Sequence, residues 1–134
     1  MRTVRRESTK KALRKRAKSH CERCGRFIKE YGPDLGDGSR HHRHKQGVGG
    51  KNRLYNLVFL CVKCHRWVHR HEAEAAREGW ILPCDTAAVP VRRHDGWVLL
   101  RPDGTVDRLS DFAGKALLTW VLDRLYLEPL ARSG

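Results

Sequence analysis

The sequence predicts a small α+β domain pinned by a metal, with an extension of short strands and a helix behind it. Three observations lead there. Two Cys-x-x-Cys pairs, Cys21/Cys24 and Cys61/Cys64, stand 36 residues apart. The apolar run Leu57–Leu60 has strand character and passes through Cys61 into a stretch of helical composition. A chain of 134 residues allows one modest domain, whose core is thin enough to gain from a structural metal.

The elements follow in order. Residues 1–20 hold nine Lys/Arg, one Glu and few large apolar side chains, and are expected to form a flexible basic arm. Within it, 8–18 could coil into a helix with Ser8 or Thr9 as N-cap, gaining little from packing. Residues 21–36 hold the first Cys-x-x-Cys turn and a polar stretch ending in Tyr31-Gly32-Pro33-Asp34. Residues 39–44 could be a strand, 46–52 a Gly-rich loop, and Leu57–Leu60 a buried strand. From His65 to Glu78 the composition is helical, and Gly79 stands where a helix would stop. Two strands, a loop and a helix thus fill 39–79.

Beyond them, Trp80–Pro83, Val89–Val91 and Gly96–Leu100 look like short strands. Arg101-Pro-Asp-Gly-Thr105 is a turn, because Pro presets φ and Gly accepts a positive φ. Val106–Leu109 returns as a strand, completing a β-hairpin. Ser110 caps a final helix to about Leu127, with Phe112, Ala116, Leu117, Trp120, Val121 and Leu125 on one face. Trp80, Trp97 and Trp120 are expected in the core, His94 on the surface, and Cys84 as a plain small residue. The expected organisation is an arm (1–20), a metal-pinned domain (21–79) and an extension (80–134).

The net charge is +13, and it is lopsided. Residues 1–72 hold 20 Lys/Arg against 6 Asp/Glu; residues 73–134 hold 8 against 9. A polyanionic partner for the front half is the natural reading. No apolar run approaches a membrane span, and the first residues carry no apolar leader. The expectation is an intracellular, reducing compartment and no membrane. Paired cysteines there bind zinc more often than they form disulfides.

Cys21, Cys24, Cys61 and Cys64 have the spacing of a tetrahedral thiolate zinc site. Such binding contributes on the order of 10 kcal/mol to folding, comparable to the whole stability of a small domain. A redox dithiol would want one Cys-x-x-Cys on a βαβ scaffold, which the pattern lacks.

The histidines point to a second, open site. Seven of eight lie between residues 20 and 71. His65 and His69, four apart on a helix, share a face and can seat a divalent ion. A third ligand would come from His41-His42. Three histidines leave positions for water and a phosphate oxygen, and the remaining one is free as a general base. Neighbours on a regular strand face opposite ways, so His41 and His42 share a site only through a bulge or bend. His44 is the alternative, on the face of His42.

The pattern His41-His42, Gly49-Gly50, Asn56-Leu-Val-Phe-Leu-Cys61-x-x-Cys64-His65 and His69 resembles the HNH endonuclease family over residues 21–71. The resemblance implies a ββα-metal fold with the four cysteines as a structural zinc site. It implies that His41, His65 and His69 ligate one catalytic divalent cation (Mg²⁺, Mn²⁺, Ni²⁺ or Zn²⁺) and that His42 is the general base. It implies that Asn56 ties down the loop between the strands; Asn52 is set aside because Asn56 directly precedes the apolar strand. DNA would be the substrate, its backbone held by Arg43, Lys45, Lys51, Arg53, Arg66 and Arg70. The tail, from Trp80-Ile-Leu-Pro to Asp103-Gly-Thr105, resembles those of small HNH proteins of bacteriophages and their hosts. That implies a phage-encoded enzyme in the cytoplasm of a bacterial host cell. Some such proteins assist terminase in DNA packaging and others are stand-alone homing-type nucleases, so terminase and packaging proteins are candidate partners. The alternative is a zinc-containing DNA-binding module without catalysis.

Overall fold

The computed structural model describes residues 6–29 and 38–133; the polar stretch ending in Tyr31-Gly32-Pro33-Asp34 lies outside them. The architecture is α+β. Helix α1 (Arg6–Ala17) precedes an antiparallel pair, β1 (Ser39–His42) and β2 (Leu57–Leu60), joined by a loop with one 3₁₀ turn, Gln46–Val48. Two short helices follow, α2 (Val62–Arg70) and α3 (Glu72–Arg77). A three-stranded meander, β3 (Val91–Arg93), β4 (Gly96–Leu100) and β5 (Val106–Leu109), leads into α4 (Asp111–Ser133).

Strand β2 is the centre. All four of its residues are buried, paired in register from Ser39 against Leu60 to His42 against Leu57. One core cluster joins β2 to Leu13 of α1, Val68 of α2, Trp80, and Val91, Val98 and Leu100 of the meander. A second, smaller cluster joins Leu82, Val89 and Trp97 to Leu118 and Val121 of α4.

The expected helix within the arm is present, but the expectation that it gains little from packing is corrected; residues 1–5 lie outside the described residues. Thr9, Leu13 and Ala17, one helical turn apart, form the buried face of α1. Arg16 turns inward as well. Its guanidinium donates to both carboxylate oxygens of buried Glu22 at 2.7 and 3.0 Å and to the carbonyls of Leu54 and Leu57. Glu22 also accepts from Arg93 at 3.0 Å and from the Phe59 backbone N–H at 2.9 Å. An apolar count understates this helix, since a buried ion pair anchors it as well.

Further differences have local causes. The expected single helix from His65 to Glu78 starts earlier and breaks at His71, whose ψ of 58° is not helical. Gly79 ends α3 at φ +88°, and a Cβ there would lie 2.2 Å from the Pro90 carbonyl oxygen. Trp80–Pro83 is not a strand. It belongs to an irregular strap, residues 79–90, that hydrogen-bonds the end of β1, Leu82 N–H donating to Arg43 O at 2.8 Å. The third strand covers Val91–Arg93 rather than Val89–Val91, so the hairpin is a three-stranded meander. Gly104 takes the positive φ, +92°, that the turn demands. Ser110 Oγ accepts from Ala113 N–H as an N-cap at 3.0 Å. Helix α4 buries Gly114, Leu118 and Val121; Phe112 and Trp120 are 83% and 56% exposed, and Ala116 is exposed too. Gly114 sets this rotation, because it alone leaves room for the Trp97 ring. No helix among the described residues is long and apolar enough to cross a membrane.

Candidate metal centres and catalytic loop

The two Cys-x-x-Cys turns meet. Cys21, Cys24, Cys61 and Cys64 place their sulfurs within 4.8 Å of one another. Each turn is tightened by an N–H···S contact of 3.4 Å, from Cys24 N to Cys21 and from Cys64 N to Cys61. The Cys64 thiol stabilises the Cys21 thiolate, pulling Cys21 down to about 4. The same contact, with burial, pushes Cys64 up. Sulfurs at this separation share protons that a cation would displace, and four thiolates in this cluster fit zinc. Arg23 lies beside them, its Nη1 3.5 Å from Cys64 Sγ and its guanidinium 3.6 Å over the Trp67 ring. Cys84 stands apart from the cluster.

A second cluster gathers His41, His65 and His69, with one nitrogen of each within 4.8 Å of the others. His41 comes from β1, His65 and His69 from successive turns of α2. The Nε2 atoms of His65 and His69 are 3.2 Å apart. That is close to the separation of two donors around one ion with metal–nitrogen bonds of about 2.0–2.1 Å. The second nitrogens of His41 and His65 are held. His41 Nε2 donates to the Trp80 carbonyl at 2.8 Å, so the ring carries its proton there and its lone pair on Nδ1. His65 Nδ1 bonds Ser39 Oγ at 2.8 Å. Such outer contacts orient metal-binding imidazoles.

Burial favours the neutral form of His41 and His65. Burial pushes His41 down to about 4, opposed by the hydrogen bond to Trp80 and reinforced by His65 and His69. His65 is lowered too, by burial first and then by His69. Neutral imidazoles are the form that binds a metal. The three rings fit a divalent ion, and no carboxylate joins their group among the described residues.

The strand ladder is regular through this region. His41 is 5% exposed and faces His65 and His69, while His42 pairs with Leu57 at the strand end. There its Nε2 meets Asn52 Oδ1 at 2.7 Å. His44, the alternative ligand, is outside the cluster; its Nδ1 donates to the Leu82 carbonyl at 3.0 Å.

Asn56 is fully buried and ties the loop together. Its Oδ1 accepts from His44 N–H at 2.9 Å, and its Nδ2 donates to the carbonyls of His44 and Lys51 at 3.2 and 3.1 Å. These bonds join both ends of the turn between the strands.

Arg43 departs from the sequence expectation of a DNA contact. It is 1% exposed, and its guanidinium donates to the carbonyls of Gly79, Tyr55, Val89 and Pro90 at 2.7–3.2 Å. Burial lowers it to about 9, so it remains cationic at neutral pH. It holds the strap rather than a ligand. Lys45, Lys51, Arg53, Arg66 and Arg70 are exposed.

Three partners went unread in the sequence: Ser39, Asn52 and the Trp80 carbonyl. Ser39 is two residues before His41, on the same face of β1, which is a signal that period-2 reading could have used. A backbone carbonyl leaves no such trace.

Residues 21–71 match the family model described as HNH endonuclease. No curated protein and no solved structure matches the chain. The matched segment contains both clusters and Asn56, and it stops before the strap.

Proposed function

With an HNH endonuclease domain at residues 21–71 as the premise, we propose that the protein is a metal-dependent DNA endonuclease. The observation that carries this is the convergence of His41, His65 and His69 on one point, with His42 the next residue along β1. The donor set suits nickel or zinc better than magnesium, which prefers oxygen ligands. When bound, a divalent ion there supplies Lewis-acid stabilisation of the charge that develops on a phosphodiester.

The chain's own residues do the rest. His41, with its proton fixed on Nε2 by Trp80 O, offers Nδ1. His65 is aimed by Ser39. His42 takes a proton from water as the water oxygen attacks phosphorus, and the P–O3′ bond breaks in line. Asn56 keeps the loop that carries His42's neighbours in one conformation. Lys45, Lys51, Arg53, Arg66 and Arg70 hold backbone phosphates, giving affinity with little sequence information. Arg43 is withdrawn from that set. Cys21, Cys24, Cys61 and Cys64 hold a structural zinc. The tail's likeness to small phage HNH proteins supports a phage-encoded enzyme acting in a bacterial cytoplasm, with terminase or packaging proteins as partners.

The test is plasmid nicking with Ni²⁺, Zn²⁺, Mn²⁺ and Mg²⁺, each repeated with EDTA. Cleavage should need the ion and fall about 10²–10⁴-fold in His42→Ala, with DNA binding retained. Binding without cleavage under every ion would instead identify a DNA-binding module.

A further inference from the structure

Asn52 is held in place from both sides of the residue before it. The Lys51 N–H donates to the Asp85 carboxylate at 2.8 Å, and the Lys51 carbonyl accepts from Asn56 Nδ2 at 3.1 Å. Asp85 lies on the strap, outside the segment that matches the family. It also engages the Tyr55 hydroxyl, a contact that raises the Tyr55 phenol. The backbone at 51 is thus clamped at its donor and its acceptor, and the next side chain is delivered to His42. The contact made there is short, 2.7 Å from Asn52 Oδ1 to His42 Nε2. An amide oxygen only accepts, so the imidazole must carry its proton on Nε2. The nitrogen left with a lone pair is Nδ1.

We infer that Asn52 is a positioning residue that locks His42 in the Nε2–H tautomer and so presents Nδ1 as the base for the attacking water. The inference rests on the nuclease reading, with Asn52 acting through His42 rather than on DNA. A base in the wrong tautomer has its lone pair on the wrong atom, and a ring without the contact is free to rotate. Either loss acts on turnover and leaves substrate affinity alone. Asn52 is exposed and bonds no core group, so its replacement leaves the fold intact.

The experiment uses the full zinc-loaded protein and two variants, Asn52→Ala and Asn52→Asp, the second keeping an acceptor oxygen at the same place. Imidazole ¹⁵N spectra should show His42 protonated on Nε2 in the wild type and in Asn52→Asp, and averaged between tautomers in Asn52→Ala. Nicking kcat should fall about 10–100-fold in Asn52→Ala with KM within twofold, and Asn52→Asp should recover most of it. An unchanged His42 spectrum in Asn52→Ala overturns the inference, as does a loss confined to KM. A wild type that cleaves no DNA with any ion sinks the nuclease reading, while the spectra still decide whether Asn52 sets the tautomer.

Discussion

His41 and Trp80 are joined by a 2.8 Å hydrogen bond from imidazole Nε2 to backbone carbonyl, across 39 residues of sequence. Trp80 lies beyond the segment that matches the HNH family, so that segment does not hold its own first histidine. A chain cut after His71 should therefore fail to fold. It would lose Trp80, Val91, Val98 and Leu100 from the main core and every strap carbonyl around Arg43. Circular dichroism of residues 6–71 with zinc present should show no cooperative melt; a sharp melt would mean the strap is dispensable.

Arg43→Met should destabilise the protein by about 3–5 kcal/mol, since four carbonyls lose a charged donor in a buried site. Conditions that keep the variant folded should leave its DNA affinity unchanged. Lys51→Ala and Arg53→Ala should do the reverse, weakening binding and lowering its salt dependence with little effect on stability. Urea titration and binding at two salt concentrations separate the cases.

Removal of the Ser39 hydroxyl should loosen the second ion. Ser39→Ala frees His65 Nδ1, and affinity for Ni²⁺ should fall about 10-fold or more by calorimetry. His69→Ala should cost more, because a donor is lost. Equal affinities in wild type and Ser39→Ala would show that the hydroxyl does not aim the ring.

Structural zinc should follow the four clustered thiols. Cys24→Ser should lower bound zinc and melt the protein, since such a site contributes on the order of 10 kcal/mol. Cys84→Ser should change neither. Metal analysis beside a thermal melt reads both.

Acid should weaken the fold through His41. Its folded value, about 4, lies below the unfolded value near 6.5, so the unfolded chain binds the proton first. Its contribution is complete above pH 6.5 and is lost as pH falls through 4, amounting to on the order of 3 kcal/mol. Urea midpoints of zinc-loaded protein without the second ion should fall more steeply over this range in wild type than in His41→Gln. Parallel slopes would place the dependence elsewhere.

The clustered cysteines, the histidines on α2 and the apolar strand were legible because each is a spacing rule: two residues between thiols, four between imidazoles, a run of four into the core. Period 2 also foretold that His41 and His42 part company. Arg43 was misread because a cation amid cations looks like a phosphate contact. Its burial depends on carbonyls from Gly79, Val89 and Pro90, which carry no residue identity. Arg16 was hidden for the same reason, its acceptors being Glu22 and two backbone oxygens. The exposed Trp120 shows the limit of apolar counting on α4, where the close approach of Gly114 to Trp97 decides which face turns in.

The carboxylate of Glu22 has a consequence for how the molecule is made. Its two cations sit at positions 16 and 93, on either side of the zinc ligands in the order of synthesis. On the ribosome, Glu22 emerges with Arg16 as its first cation, and Arg93 arrives after the last clustered thiol, Cys64, and the last clustered imidazole, His69. The buried carboxylate therefore has both its cations only once the meander has been made.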